Sequence, residues 1–175
     1  MSIPKLACRW EGEQRPGHFQ GMATVVTKLL TLVRPTAAFF GQKDFQQAAL
    51  ITRLVEDLNL GARVIVYPTV READGLALSS RNVFLASAQR RAAPVLFQAL
   101  KAGRAAIRTG GRSGAQIQQA MRKVLSAEPL ASLDYLAVCD PDTLEPLARI
   151  HDRAVLLGAI RLGRIRLIDN LLVTC

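Results

Sequence analysis

The chain has 175 residues, half of them apolar and 21% charged, with 12 glycines and 8 prolines. That balance supports a packed core and excludes a disordered or low-complexity chain; no uninterrupted apolar run approaches the roughly 20 residues of a bilayer crossing. The formal net charge of +9 admits a nucleic-acid partner, but the basic residues are dispersed, with no RGG tract or Lys/Arg block, and no nucleic acid is expected.

In chain order, Met22, Val25, Val26, Leu29, Leu30 and Val33 recur at helical spacing, and Arg34-Pro35 stops that helix. Ala37-Ala38-Phe39-Phe40, bounded by Pro35 and Gly41, reads as a buried strand. Asp44, with Gln47 three residues on, has capping-box form and opens a helix carrying Ile51, Leu54, Val55 and Leu58. Asn59-Leu60-Gly61 ends it, and Val64–Tyr67 is a second buried strand closed by Pro68. Strand, helix, strand of this kind predicts a parallel pair with a right-handed crossover and helices on both faces. Thr69 to Asn82 is polar and reads as a loop. A helical stretch is predicted from about Ser87 to Thr109, interrupted at Pro94, then a break at Gly110-Gly111 and a helix capped by Ser113 with Gln116. Leu133–Val138, Ala154–Ile160 and Ile165–Val173 read as strands, the last two joined by a turn at Gly163-Arg164. The predicted fold class is therefore α/β, the second half of a parallel-sheet domain over residues 1–70 followed by a small α+β domain with an antiparallel sheet over residues 71–175.

Three segments offer chemistry. Gly41-Gln42-Lys43-Asp44 lies between a strand and a helix start, where open α/β sheets bind ligands and free N–H groups favour an anion. It reads either as a phosphate cradle or as a glycine turn, a capping aspartate and a solvated lysine. Leu78-Ser79-Ser80-Arg81-Asn82 presents two hydroxyls and a guanidinium that could close over a triphosphate, or is an ordinary polar loop. Arg15-Pro16-Gly17-His18 places an imidazole just before a helix, as a catalytic or a structural histidine. Cys8, Cys139 and Cys175 are far apart and His151 stands alone, so neither a disulfide framework nor a metal site built from protein side chains is expected. Met1–Leu6 carries no apolar leader segment, and a soluble, cytoplasmic chain without a membrane partner is expected.

Taken together, Arg15-Pro-Gly-His-Phe19 through Met22-Ala-Thr-Val-Val26, Phe40-Gly-Gln-Lys-Asp-Phe-Gln-Gln47 and Pro68-Thr-Val-Arg-Glu-Ala-Asp-Gly-Leu-Ala-Leu-Ser-Ser-Arg-Asn82 closely resemble the pantoate–β-alanine ligase (pantothenate synthetase) family. Asp134-Tyr135-Leu136 and Arg166-Leu-Ile-Asp-Asn170 look like strands of its C-terminal domain. The resemblance implies a Rossmann-like, nucleotidylyltransferase-type domain hinged to a C-terminal lid. It implies ATP and pantoate giving pantoyl adenylate and pyrophosphate, with Mg2+ on the phosphates, after which β-alanine displaces AMP. It carries ATP binding onto Gly41, Gln42, Lys43, Asp44, Val70 (the backbone contact to adenine), Leu78, Ser79, Ser80 and Arg81, and pantoate binding onto Gln47. Catalytic roles fall on Lys43, Ser79, Ser80, Arg81 and the pocket histidine His18.

Two departures accompany the resemblance: Gln42 stands where the family usually has Glu, and Leu78 where it has Met. A larger one is that nothing before Arg15 resembles the family's histidine-rich HIGH-type segment. The chain is therefore expected to correspond to the C-terminal portion, inactive alone, with apolar strand and helix faces left exposed. The alternative is a nucleotide-binding half-protein that pairs with a separate first half. The family's assembly is implied to be a homodimer.

Overall fold

Helices and a pair of short strands make the first of two units, Met1–Pro68, in a computed structural model that describes residues 6–175. A single helical turn, α1 (Glu11–Gln14), precedes α2 (His18–Val33), β1 (Ala37–Gly41), a 3-10 turn (Gln42–Asp44), α3 (Phe45–Asp57) and β2 (Arg63–Tyr67). α2 starts four residues before its first periodic apolar residue, because Gly17 takes a left-handed conformation (φ 77°) and turns the chain into it. It stops at Arg34, also left-handed, whose N–H donates to Leu30 O. β1 and β2 pair in parallel, from Ala37 opposite Arg63 to Gly41 opposite Tyr67. Leu30, Ile51, Val55 and Ala62 form one core cluster, with Met22, Val26, Ala38, Phe40 and Val64 against it, and Phe19, Leu50 and Leu54 are buried as well.

Two expectations are corrected in this unit. The strands are not buried on both faces: Phe39 and Tyr67 are 68% and 62% exposed. A strand's apolar run reports what it can bury, while burial needs a second layer, and α2 and α3 pack their core residues with the face carrying Ala38, Phe40 and Val64. Nor does Asp44 form a capping box. The chain enters α3 through the 3-10 turn, Asp44 has φ −95° and ψ 61°, and its side chain makes no cap.

The second unit, Thr69–Cys175, is built on an antiparallel sheet of β3 (Ala131–Cys139), β4 (Arg153–Leu162) and β5 (Ile165–Thr174), in that spatial order. Helices α4 (Ser87–Ala92), α5 (Val95–Arg108) and α6 (Gly114–Leu125) precede it. Pro94 separates α4 from α5, and Ser113 Oγ accepts from Gln116 N–H to cap α6. β4 is buried from Ala154 to Ile160, and its residues join Leu96, Leu100, Ile107, Ile117 and Met121 in one core. Asp134 on β3 accepts from Arg161 Nε (2.9 Å) on β4 and Arg166 Nε (2.7 Å) on β5, bridging two arginines that sit opposite one another in the sheet and offsetting part of their charge. The segment read as a loop over 69–82 is partly regular: Arg71 bridges Ala77, and a 3-10 turn runs from Ser80 to Phe84.

Candidate functional site

In the first unit the candidate residues gather at the carboxyl end of β1. Gly41 is its last residue, in extended conformation, and a Cβ there would meet nothing within 4 Å. Open space therefore lies above the backbone where a ligand group would approach. Gln42 and Lys43 follow in the 3-10 turn, half-buried, and Asp44 is exposed. Gln47 lies in the first turn of α3. The strand end passes through the 3-10 turn into the start of α3, so the positive end of the helix dipole lies at this segment, which also carries the Lys43 charge.

The preceding segment is fastened to α3 by Gln46, a residue to which the sequence motifs assign no role. Gln46 is 4% exposed; its Nε2 donates to Leu6 O (2.6 Å) and Arg9 O (3.0 Å), and its Oε1 accepts from Glu11 N–H (3.1 Å). Gly12 lets α1 close against residue 7, since a Cβ there would lie 1.7 Å from Ala7 O. The signal was available in the sequence, because Gln46 shares a helical stripe with Leu50 and Leu54. A carboxamide on an apolar stripe has to find partners.

His18 opens α2 and packs on Phe19, ring centroids 5.2 Å apart. Burial, and then the Arg15 guanidinium, lower its pKa below 6.5, opposed by the Glu11 and Asp44 carboxylates. The imidazole is thus mainly neutral at pH 7, with the Asp44 carboxylate the weakest of the charges acting on it. A cavity of about 830 Å³ in this unit is lined by Cys8, Arg15, Phe19, Thr24, Lys28 and Leu58 among others; it includes none of Gly41, Lys43 or Gln47.

In the second unit, Val70, Leu78, Ser79, Ser80 and Arg81 lie on one short excursion. Leu78 N–H donates to Val70 O (2.9 Å), closing the neck of the loop. Ser79 Oγ accepts from Arg81 N–H (3.3 Å) and so caps the 3-10 turn, leaving its own hydrogen to donate. Leu78, Ser80 and Arg81 are exposed. Beneath them Asn82 Nδ2 donates to Glu72 Oε1 and Ala77 O, and Arg90 bridges Glu72 and Asp74. The Arg90 hydrogen bond, reinforced by that from Leu76 N–H, lowers the Asp74 pKa.

A parallel strand–helix–strand unit with a polar, cationic segment at its strand end belongs to the class of open α/β proteins that bind ligands at the carboxyl ends of their strands, here followed by an α+β unit. The chain belongs to the pantoate–β-alanine ligase family, whose model matches residues 1–172. A pantothenate synthetase from Herpetosiphon aurantiacus is 51% identical over 174 residues, covering 99% of this chain and 63% of that protein; one from Roseiflexus castenholzii is 51% identical over 170 residues, covering 97% and 61%. The crystal structure of the Thermus thermophilus enzyme superposes with a TM-score of 0.92 at 48% identity, over 95% of this chain and 60% of its own. The Francisella tularensis ligase, complexed with beta-gamma ATP and beta-alanine, superposes with a TM-score of 0.69 at 33% identity, over 95% and 55%. The chain thus spans about three-fifths of the length of these relatives.

Among the described residues no helix is long and apolar enough to cross a membrane, and no three His, Cys, Asp or Glu side chains gather in a group that could hold a metal ion.

Proposed function

We propose that this chain supplies the nucleotide-facing residues and the closing loop of a pantoate–β-alanine ligase acting in the cytoplasm on small molecules, with no nucleic-acid partner. The observation that carries the reading is Gly41-Gln42-Lys43-Asp44 at the carboxyl end of a parallel strand, in a chain about half identical to pantothenate synthetases. Residues 1–70 act as part of the Rossmann-like substrate domain and residues 71–175 as the lid.

In this reading the pantoate carboxylate attacks the α-phosphorus of ATP and pyrophosphate leaves. The β-alanine amine then attacks the acyl carbon of pantoyl adenylate and releases AMP. Negative charge grows on the departing pyrophosphate, so the site needs cationic and N–H donors placed in advance. Lys43, in the Gly41–Asp44 segment, is the cation assigned to the phosphates. The hydroxyls of Ser79 and Ser80 and the Arg81 guanidinium are the donors assigned to the loop that closes over ATP. Leu78 covers the nucleotide, and the Val70 backbone meets adenine. Gln47 hydrogen-bonds pantoate, and neutral His18 lines the pocket as a donor or acceptor. Closure also shields the acyl adenylate from water. Mg2+ would fit here with Asp44 as the one carboxylate of the Gly41–Asp44 segment to help hold it, and it would supply charge neutralisation on the triphosphate.

The test is AMP formation from ATP, pantoate, β-alanine and Mg2+, by this chain alone and mixed with the first two-fifths of a relative. Formation that Lys43→Ala abolishes supports the assignment. Formation only in the mixture marks a half-protein that works with a separate partner, and formation indifferent to Lys43→Ala sinks the reading. The homodimer of the family reading is tested by sizing the same preparations.

A further inference from the structure

The Arg166–Asn170 motif has no role in the site as described, yet its aspartate is one of the few buried charged groups among the described residues, at 5% exposure. Asp169 lies on β5 in the alternation that also turns Leu167 and Val173 into the core. Its two oxygens accept from Arg71, Nη1 at 2.6 Å and Nη2 at 2.9 Å, a two-pronged pair of defined geometry. Arg71 Nη1 also donates to Gly75 O (3.1 Å), and Nη2 to Asn170 O (3.4 Å). The guanidinium lies over the ring of Phe97 of α5, 3.8 Å from its centroid. Gly75 sits against the same ring: it has φ 94°, and a Cβ there would be 2.5 Å from Phe97 Cδ1. Asp169 also accepts from the N–H of Asn170, its neighbour in the chain (2.8 Å), which fixes the carboxylate's own orientation.

We propose that Arg71 and Asp169 are a positioning pair for the loop tip at Leu78–Arg81. They fasten the 71–77 turn to the sheet and to Phe97, so that only the tip beyond the Leu78–Val70 hydrogen bond is left to move. The outer tie from Arg90 to Glu72 and Asp74 is more exposed, and solvent screens it; the inner pair sets the turn's orientation. A tip hinged on a fixed base presents Ser79, Ser80 and Arg81 in one arc, whereas a loop free along its whole length would have to lose far more conformational entropy on each closure. The nucleotide half of this proposal rests on the adenylate-forming reading above. The anchoring half does not.

Amide exchange followed by NMR in the full chain separates the two. The reporters are the N–H groups of Glu72, Gly75 and Leu78, bonded to Leu76 O, Glu72 O and Val70 O. Asp169→Asn and Arg71→Ala are each expected to speed their exchange at least tenfold, while β4 amides keep their protection. Millimolar guanidinium is expected to restore the Arg71→Ala loop by refilling the slot between Phe97 and Asp169. Unchanged exchange in the turn overturns the proposal. So does acceleration shared equally by β4, which would make the pair a general stabiliser, and so does a failure of guanidinium to rescue. Addition of ATP is expected to protect Ser79–Asn82 in the unaltered chain and not in either variant; equal protection in all three overturns the nucleotide half. If ATP protects nothing in the unaltered chain, alone or mixed with the first two-fifths of a relative, the adenylate-forming reading fails and takes the nucleotide half with it. The exchange of Glu72, Gly75 and Leu78 still decides the anchor.

Discussion

Gln46 and His18 illustrate opposite ways of keeping a polar group inside a small unit. Gln46 uses both ends of its carboxamide on three backbone groups of residues 6–11. Replacing it with Leu keeps the volume and leaves the buried Leu6 O and Glu11 N–H without partners, at a cost of about 1–3 kcal/mol. Urea unfolding of Gln46→Leu is expected to show that loss together with faster proteolysis before residue 14; an unchanged midpoint would mean the segment finds other partners. His18 is instead kept neutral by burial and by Arg15. Because its folded pKa lies below the unfolded value, the unfolded chain binds the proton more readily. The stability it contributes is complete above about pH 6.5 and is lost as pH falls through the folded pKa. An NMR titration of the imidazole should give a midpoint below 6.5 that rises in Arg15→Ala; a midpoint at or above 6.5 would remove the neutral-imidazole role.

At the scale of elements, turns carry the conditional stability. Asp140 Oδ1 accepts from the N–H groups of Asp142 and Thr143 and from the Thr143 hydroxyl, closing the turn after β3. Burial pushes its pKa up, but these hydrogen bonds and the nearby Arg153 prevail and lower it. The resulting stabilisation is present above the unfolded carboxylate value, about 3.9, and is lost as pH falls through the lower folded value. Asp140→Asn should flatten the acid limb of the stability curve, and an acid limb identical in both proteins would place the dependence elsewhere. Gly75 is the turn where backbone and packing coincide. Gly75→Ala adds left-handed strain of about 1–3 kcal/mol and drives a methyl into Phe97. Calorimetry should show a lower Tm, and exchange at Leu78 should rise beyond the global loss.

For the whole molecule, the two units differ in what they bury. The second packs three helices on a sheet around one large core, whereas the core of the first is drawn from α2, α3 and one sheet face. Unfolding is therefore expected to depart from two-state behaviour, with α2 and β1 amides exchanging well before those of β4. A single cooperative transition by every probe would contradict this. Val25, Leu29, Leu32 and Val33 are exposed along α2, and Phe39 and Tyr67 on the sheet. Apolar surface of that extent promotes association. Sizing across a concentration series should show growing species that Leu32→Glu with Phe39→Lys reduces; a monomer at every concentration would count against it.

How much of this was legible beforehand depends on the range of the interaction that decides it. Helix α2, strands β1 and β2, the break at Pro94 and the β4–β5 turn followed from periodicity, proline geometry and glycine, all set within a few residues. The order Gly41-Gln42-Lys43-Asp44 between strand and helix was equally local, and with the loop motif it was enough to identify the family. Burial of the strand faces was not legible, because Phe39 looks the same whether or not a layer covers it. The Asp44 cap failed because a 3-10 turn, set by how β1 enters α3, replaced the extended conformation a cap needs. Arg71 and Asp169 are 98 residues apart, and no sequence period links them. Only the folding of β5 against α5 turns an aspartate in a strand and an arginine in a loop into one anchored pair, since a buried charge is tolerable only where the fold brings it a partner.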